Sequence, residues 1–393
     1  MTNKLLMVTT VPLTLRGFLL PFANHFRAKG WQVDAMALDA SAMPECFPSY
    51  DNIFDVSFSR NPLARENLKV APQQIQEALE REDYDIVHVH TAVAAFVTRY
   101  ALRNLKKARK PKLLYTVHGF HFFKGNKFHR NVIYLILEKI AAPWTDYMVV
   151  INKEDEEAAL RHRLIPKERL YYMPGIGVDL KYYNPENVSD EEIKSVRDEM
   201  GLTPNDALFL ASAEFNPGKR HRDMLNAFAR LARPNVHLAF AGAGPLFDEM
   251  KQLAVKLGIH KQVHFLGYRK DMTVLMRASL ATIMASEREG LPRSIMESLC
   301  LEVPVIGTKI RGIRDLLTGD SLTGGYGVLV NLGDTKSIAD GMAWILDNPS
   351  EARLMGKRGR EYMRFYDVQN VIKLHEELYA EITNKKPVLS HKS

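Results

Sequence analysis

Leu280-Ala281-Thr282-Ile283-Met284 leads, after one alanine, into Ser286-Glu287-Arg288-Glu289-Gly290-Leu291-Pro292-Arg293-Ser294-Ile295-Met296-Glu297-Ser298. The first run is short and apolar, the mark of a buried strand. A charged loop with a single glycine follows. Pro292 stands at an expected first helical position, with Ile295, Met296, Leu299 and Cys300 as an apolar face behind it. Strand, loop and helix start thus follow in succession. A helix start offers unpaired N–H groups and the positive end of a dipole, which suits a diphosphate. Gly290 lets a ligand approach the backbone closely. Glu289 and Glu297 flank it, and a carboxylate accepts hydrogen bonds from the paired hydroxyls of a sugar or ribose. On its own physics the stretch reads equally as an anion site and as a surface loop with ordinary helical glutamates.

The same alternation of apolar run and helical pattern extends in both directions, which predicts an α/β chain with parallel sheets. In the first half, strands are expected at 5–8, 33–37, 53–56, 86–89, 113–117 and 147–151, with helices near 19–29, 72–82, 92–107, 132–142 and 153–163. In the second half, strands are expected at 207–213, 237–241, 263–265, 281–284 and 303–308, with helices near 222–231, 246–257, 270–278 and 292–300. This spells two doubly wound halves, whose ligands would bind at the carboxyl ends of the strands, facing one another across a cleft. The boundary is expected within 179–203, a charged stretch containing Asn184-Pro185. The expected domains are 1–185 and 186–365, then a last helix over 366–385 and a flexible tail over 386–393.

A chain of 393 residues, 46% hydrophobic and 25% charged, suits two globular domains. Cys46 and Cys300 are far apart, so no disulfide framework or cysteine metal site is suggested and a reducing cytosol fits. Lys4-Leu5-Leu6-Met7-Val8, soon followed by Thr9, Thr10, Pro12 and Arg16, reads as a first strand and loop rather than a signal peptide. No stretch has membrane-spanning length without a charge or breaker. The formal charge of +7 is uneven. Arg99, Arg103, Lys106, Lys107, Arg109, Lys110 and Lys112 have no acid among them, a basic helix end suited to anionic lipid or nucleic acid, or simply to water. Zinc-finger spacing, an RNP-like aromatic motif and a basic arm with heptads are all missing, which argues against nucleic acid.

Glu289 and Glu297, with seven residues between them, resemble the E-x7-E signature of the retaining glycosyltransferases of family 4, which have the GT-B fold. Other pieces resemble the branch of that family that builds bacterial capsule and exopolysaccharide repeat units. They are Phe58-Ser59-Arg60-Asn61-Pro62-Leu63, His88-Val89-His90-Thr91, Tyr115-Thr116-Val117-His118-Gly119-Phe120-His121-Phe122-Phe123, Asn152-Lys153-Glu154-Asp155, Pro174-Gly175-Ile176-Gly177-Val178-Asp179 and Ala213-Glu214-Phe215-Asn216. The resemblance implies two Rossmann-like domains and a final helix that crosses back to the first. It implies that Glu289 holds the donor sugar's hydroxyls and Glu297 the ribose. The diphosphate would fall to Lys219 and the backbone at Gly290, Leu291, Pro292, Arg293 and Ser294. His118 would lie on the sugar's reactive side.

Several of these residues also have a reading of their own. Lys219 follows a strand end and a turn, a place from which a lysine can neutralise a diphosphate. The family usually has an arginine five residues earlier; this chain has Glu214, so Arg220 or His221 is the candidate to share the work. Phe265-Leu266-Gly267-Tyr268-Arg269 resembles the turn whose backbone reads the nucleotide base, with Tyr268 and Arg269 beside it. Gly242-Ala243-Gly244-Pro245 lacks the third glycine of a dinucleotide fingerprint, which argues against NAD. His118 closes a strand at its carboxyl end, whereas His88, His90 and His121 are expected to be structural. Gly17, in the loop after the first strand, resembles the loop near donor phosphate and acceptor; Arg60 is a candidate for the acceptor diphosphate. Asp83-Tyr84-Asp85 reads as a helix-to-strand turn rather than a metal-binding D-x-D, and no metal or other cofactor is expected. Residues 124–144 mix apolar and basic side chains, and the resemblance implies a core face and a membrane face on one helix.

The expectation is a metal-independent retaining glycosyltransferase, cytoplasmic and peripheral on the inner face of the plasma membrane. It would move a sugar from a nucleotide sugar, most simply a UDP-sugar, to a lipid-linked (polyprenyl-diphosphate) saccharide in capsule, exopolysaccharide or O-antigen assembly. Its partners would be the nucleotide sugar, the lipid-linked acceptor and an anionic membrane surface, with no nucleic acid. Two rivals stand beside it: a non-hydrolysing UDP-sugar 2-epimerase of the same fold, and a sugar-nucleotide-binding subunit without catalysis. Glu214 is the only hint of the latter, and Lys219, Glu289 and Glu297 speak against it.

Overall fold

The computed structural model describes residues 2–59, 61, 64–103, 105, 110–319 and 324–383. The chain forms two compact units: one runs to Ile176 and resumes at Val368, and the other spans Gly177–Asp367.

The first unit holds a seven-stranded sheet. Its strands are β1 (Lys4–Val8), β2 (Gln32–Ala37), β3 (Ile53–Asp55), β4 (Ile86–His90), β5 (Lys112–Val117), β6 (Tyr147–Val150) and β7 (Leu170–Tyr172), in the order β3-β2-β1-β4-β5-β6-β7. The second holds β8 (Ala207–Ser212), β9 (Val236–Ala241), β10 (Val263–Gly267), β11 (Ala281–Met284), β12 (Val305–Thr308) and β13 (Gly327–Val330), in the order β10-β9-β8-β11-β12-β13. Among the described residues every strand pairing in both sheets is parallel. The order reverses between β1 and β4 and again between β8 and β11. In a doubly wound sheet such a reversal opens a crevice at the strands' carboxyl ends.

Both faces of each sheet are buried, which is why the strands read as unbroken apolar runs. In β1, Leu6 and Val8 face one core with Val87, Val89, Tyr115 and Val117. Leu5 and Met7 face the other, with Val33, Ala35, Ile86 and Leu114. That second core is closed by the last helix, Val368–Ile382, through Val371, Ile372, Leu378 and Tyr379. Tyr379 stacks near Phe26, on the helix Leu20–Ala28, with centroids 4.7 Å apart. The second unit repeats the pattern, with Phe209 and Ala211 on one face of β8 and Leu208 and Leu210 on the other.

Four details depart from the sequence reading. The units divide at Ile176 and Gly177, ahead of 179–203, because the chain after Gly177 is already tied into the second unit. Val178 N–H donates to Tyr366 O at 2.9 Å, and Arg360 Nη2 to Asn184 Oδ1 at 3.0 Å. The charged run beyond is a helix, Asp190–Glu199, started by a capping box of Ser189 and Glu192. Gly17 lies in a π-helical turn, Leu15–Leu19, rather than a loop. Pro21 has no N–H for the Gly17 carbonyl, so the regular helix begins at Leu20. Pro292 is the N-cap, not the first helical residue, of the helix Arg293–Cys300.

Candidate active site

In the second unit the loops after β8 and β11 meet. After β8 the chain turns through Pro217–Lys219, and Arg220 takes a left-handed conformation (φ 55°). Glu287 N–H donates to Gly218 O at 2.9 Å, which fastens this turn to the loop after β11. Lys219 Nζ then reaches Glu289 Oε1 at 2.6 Å. Both side chains are largely withdrawn from water, so the pair is stronger than an exposed one. Arg220 is engaged elsewhere: its Nε donates to Asp223 at 2.6 Å, and Nη1 is 3.9 Å from Glu287. His221 is buried against Phe215, and burial lowers it to about 4. It is therefore a neutral packing group and not a second cation for a phosphate.

The loop Glu289–Pro292 is held from behind. Arg311 Nε donates to Glu289 O at 3.3 Å, and Thr308 Oγ1 to Ser286 O at 2.7 Å. Gly312 has φ 71°, and a Cβ there would lie 2.0 Å from Gly290 O. Only a residue without a side chain lets the two loops come so close. No side chain caps the helix Arg293–Cys300, whose N-terminus follows Gly290, Leu291 and Pro292. Its first-turn N–H groups, at Arg293 and Ser294 among others, form the type of anion site that a helix start provides.

One turn into that helix, Glu297 Oε1 accepts from Tyr183 O–H at 2.7 Å and pairs with Arg293 Nε at 3.0 Å. Burial and the neighbouring carboxylate hold the Tyr183 phenol protonated, well above its ordinary range. Glu297 and Tyr183 line a cavity of about 610 Å³ that also borders Glu214, Tyr268 and Arg269. Its volume is of the order small-molecule sites have. Tyr268 is 74% exposed, leaving its ring face free for an aromatic ligand. Gly267 carries the positive φ (66°) that turns the chain out of β10. Arg269 is locked by Glu199, at 2.6 and 3.0 Å, and by Asp271, at 2.8 and 2.6 Å. Two carboxylates raise its pKa further, and its charge is balanced within the protein. Glu214 is exposed on the cavity wall and accepts from Asn216 Nδ2 at 2.9 Å.

The first unit gathers further candidates. His118 follows β5, and His90 ends the neighbouring β4; His118 Nε2 and His90 Nδ1 are 3.0 Å apart. Burial lowers His118 to about 4, so it is neutral at physiological pH. At the sheet's reversal Thr10 Oγ1 and Thr91 Oγ1 are 2.7 Å apart. Thr91 has φ 68°, a strained conformation for a β-branched residue, of the kind that gathers at functional sites. His88 bonds Tyr379 O–H and Thr116 Oγ1, at 2.6 and 2.7 Å, and His121 packs edge-on against Tyr134. Gly17 is exposed. Arg60 lies outside the described residues. Asp83-Tyr84-Asp85 does sit between a helix and β4, with Tyr84 O–H donating to Asp34 at 2.6 Å.

The basic run is smaller than its sequence suggests. Arg99 is fully buried, its Nη1 donating to Glu138 Oε2 at 2.9 Å, and Arg103 stacks on Tyr100 with 3.3 Å from guanidinium carbon to ring centroid. Lys106, Lys107 and Arg109 lie outside the described residues. A different basic and apolar surface is plain instead. On the helix Phe128–Ala141, Phe128, Val132, Ile133, Ile136 and Ile140 are all exposed along one face. Lys124, Lys127, Arg130 and Lys139 are exposed around them. Among the described residues no helix is long and apolar enough to cross a membrane.

Sequence reasoning missed Tyr183, Arg311 and Gly312. Tyr183 lies in the stretch expected to hold the domain boundary, and neither Arg311 nor Gly312 sits in a recognisable motif.

Comparisons with known proteins identify the family. The family described as Glycosyltransferase Family 4 matches residues 18–182, and Glycosyl transferases group 1 matches residues 192–362. A Bacillus subtilis protein named "Putative glycosyltransferase EpsD" is 32% identical over 374 residues, 94% of this chain and 95% of its own. An Escherichia coli protein named UDP-Gal:alpha-D-GlcNAc-diphosphoundecaprenol alpha-1,3-galactosyltransferase is 26% identical over 320 residues, 79% of each chain. Among solved structures, Anabaena Alr3699/HepE in complex with UDP and glucose shares the fold, with a TM-score of 0.79 and 17% identity over 96% of this chain and 100% of its own. With a full-length relative at this identity and both halves matched, the chain belongs to the family 4 glycosyltransferases of the GT-B fold, enzymes of polysaccharide and lipid-linked saccharide assembly.

Proposed function

We propose that this glycosyltransferase takes its sugar from a UDP-sugar and passes it, with retention of anomeric configuration, to a saccharide carried on a polyprenyl diphosphate. The observation that carries the reading is the Lys219–Glu289 pair, 2.6 Å long, set beside the uncapped start of the helix Arg293–Cys300. A diphosphate brings the negative charge that Lys219 and the helix N-terminus are suited to hold. Glu289, released from Lys219, then has a carboxylate for the sugar's hydroxyls. Glu297, which accepts a hydrogen bond from Tyr183, would take the ribose, and Tyr268, which lines the same cavity, the base. The E. coli relative's name, with its UDP-sugar donor and diphosphoundecaprenol-linked acceptor, supports the choice of substrates.

In the proposed reaction the bond between the sugar's anomeric carbon and the β-phosphate oxygen breaks. The acceptor oxygen bonds to the same carbon on the same face. The acceptor's proton passes to the departing phosphate oxygen, and UDP leaves with it. Lys219 and the helix N-terminus stabilise the charge that builds on the diphosphate, a role that needs no metal. The apolar and basic face of Phe128–Ala141 rests on an anionic membrane surface on the cytoplasmic side, where a lipid-linked acceptor is held.

The test is transfer itself. Purified protein is incubated with UDP-, GDP- and ADP-sugars, with and without lipid extract and with EDTA, scoring lipid-bound sugar. Chelator-resistant transfer from one UDP-sugar to lipid is expected. Conversion of a UDP-sugar without lipid, or transfer with inverted configuration, would overturn the reading.

A further inference from the structure

The helix Phe128–Ala141 has two sides of different use. Phe128, Val132, Ile133, Ile136 and Ile140 are exposed on one, and Tyr134, Leu137 and Glu138 come round on the other at the helical period. Of its fourteen residues only Glu138 and Ala141 are buried. The inner side does not close on the neighbouring helix, Ala92–Leu102, and a crevice of about 60 Å³ lies between them. Val93 and Phe96 wall it from one helix, Tyr134 and Leu137 from the other, and Phe120 and Phe122 from the loop after β5. The walls are braced: Phe120 and Phe122 stack with centroids 4.6 Å apart, and His121 meets Tyr134 edge-on at 4.9 Å. The carboxylate that borders the crevice, Glu138, is engaged, accepting from Arg99 Nη1 at 2.9 Å and from Tyr115 O–H at 3.4 Å. Walls of rings and branched aliphatic groups suit an apolar guest.

Charge and size say which guest. The loop that carries Phe120 and Phe122 runs straight on to Lys124, Lys127 and Arg130, all exposed, and no acid occurs in sequence from His121 through Leu137. Glu154 approaches this rim and accepts from the Lys124 N–H at 3.2 Å, and the rim remains positive. An apolar slot with a cationic rim matches an amphiphile that joins an apolar tail to a multiply charged anionic head. A cavity needs about 10–15 Å³ to admit one water, so this one holds the bulk of about four, roughly one five-carbon unit and far less than an acyl chain.

We propose that the crevice between Ala92–Leu102 and Phe128–Ala141 takes one isoprene unit of the lipid carrier, the unit next to its diphosphate, with Lys124, Lys127 and Arg130 toward the diphosphate. The identity of the guest rests on the polyprenyl diphosphate acceptor proposed above. The mouth lies at the carboxyl edge of the first sheet, since Ala92 follows β4 and Phe120 follows β5. One helix then has two tasks: its outer side meets bulk lipid, and its inner side selects the carrier from that lipid.

The test is isothermal titration of the full chain in excess UDP, which keeps the donor site occupied. The probes are farnesyl diphosphate and dodecyl diphosphate, an unbranched chain of equal main-chain length, both below their micellar concentrations. Farnesyl diphosphate is expected to bind at least about fivefold more tightly. Val93→Phe, which fills the crevice, should weaken it at least about tenfold, since each methylene returned to water costs about fourfold. Flotation of Val93→Phe with phosphatidylglycerol vesicles, which reads the outer side of the helix, should not change. Leu137→Trp fills the crevice from the opposite wall and decides the matter should Val93→Phe not fold. Equal affinity for the two chains would overturn the proposal, as would undiminished farnesyl diphosphate binding in the filled variants. Transfer to lipid extract that persists undiminished in Val93→Phe would overturn the crevice and leave the proposed function standing. Farnesyl diphosphate bound in the crevice of a protein that transfers no sugar would support the crevice and fall on the proposed function.

Discussion

Lys219 Nζ and Glu289 Oε1, seventy residues apart in sequence, lie 2.6 Å apart. The contact joins the loop after β8 to the loop after β11, at the reversal of the second sheet. It sets a cation and a carboxylate side by side, as the proposed sugar-diphosphate site requires.

Removing the lysine should therefore cost donor use more than fold. A charge-assisted contact contributes about 1.5–3 kcal/mol. Lys219→Ala is expected to lower kcat/KM for the donor by at least about tenfold, measured as initial rates over donor concentration. A rate within twofold of wild type would remove Lys219 from the site.

Gly312 offers a test of the backbone alone. A Cβ at this position would lie 2.0 Å from Gly290 O, and φ 71° disfavours any side chain. In Gly312→Ala the loop at Gly290–Pro292 must move, and the helix start moves with it. Donor KM is expected to rise about tenfold or more, and isothermal titration with UDP checks it directly. Unchanged UDP affinity would show that the close approach of these loops does not shape the site.

Acid should loosen the first unit. Burial holds His88 and His90 well below 6.5 and lowers His375 to about 4. A histidine whose pKa is lowered on folding binds protons more readily when unfolded. Its contribution is whole above pH 6.5 and is lost as pH falls from there toward the folded value. At pH 5.5 a fully buried histidine of this kind costs about 1.4 kcal/mol. Urea midpoints are expected to fall from pH 7.5 to 5, and His375→Leu should flatten the fall. A midpoint independent of pH over that range would contradict the burial of these groups.

The helix Phe128–Ala141 should matter at a lipid surface and nowhere else. Ile133 and Ile136 are 53% and 50% exposed. Ile133→Ser with Ile136→Ser is expected to abolish flotation with phosphatidylglycerol vesicles while the melting temperature stays within about 2 °C, since little buried surface is lost. Undiminished flotation would place the membrane contact elsewhere.

The parts legible in the sequence are those set by local patterning. The parallel strands, buried on both faces, show as apolar runs, and Leu280–Leu299 could be read as strand, loop and helix on that basis alone. Pro292 was displaced by one position, since a proline suits the N-cap and first helical residue alike. Less was legible where meaning comes from distant contacts. Arg99 read as surface charge, because nothing near it in sequence announces Glu138, which neutralises it from another helix. Asp190–Glu199 read as part of the domain boundary for its charge, although the capping residues Ser189 and Glu192 were in view. Tyr183 gained its place only when Glu297, 114 residues away, was brought to it.

The most direct measurement is release of nucleotide from a UDP-sugar panel by wild type and Glu289→Gln, with and without lipid extract. We expect one UDP-sugar to be consumed with sugar appearing on lipid, release to rise when lipid is added, and Glu289→Gln to lose about a hundredfold in kcat. UDP-sugar turnover that ignores lipid and survives Glu289→Gln would contradict both the site and the reaction assigned to it.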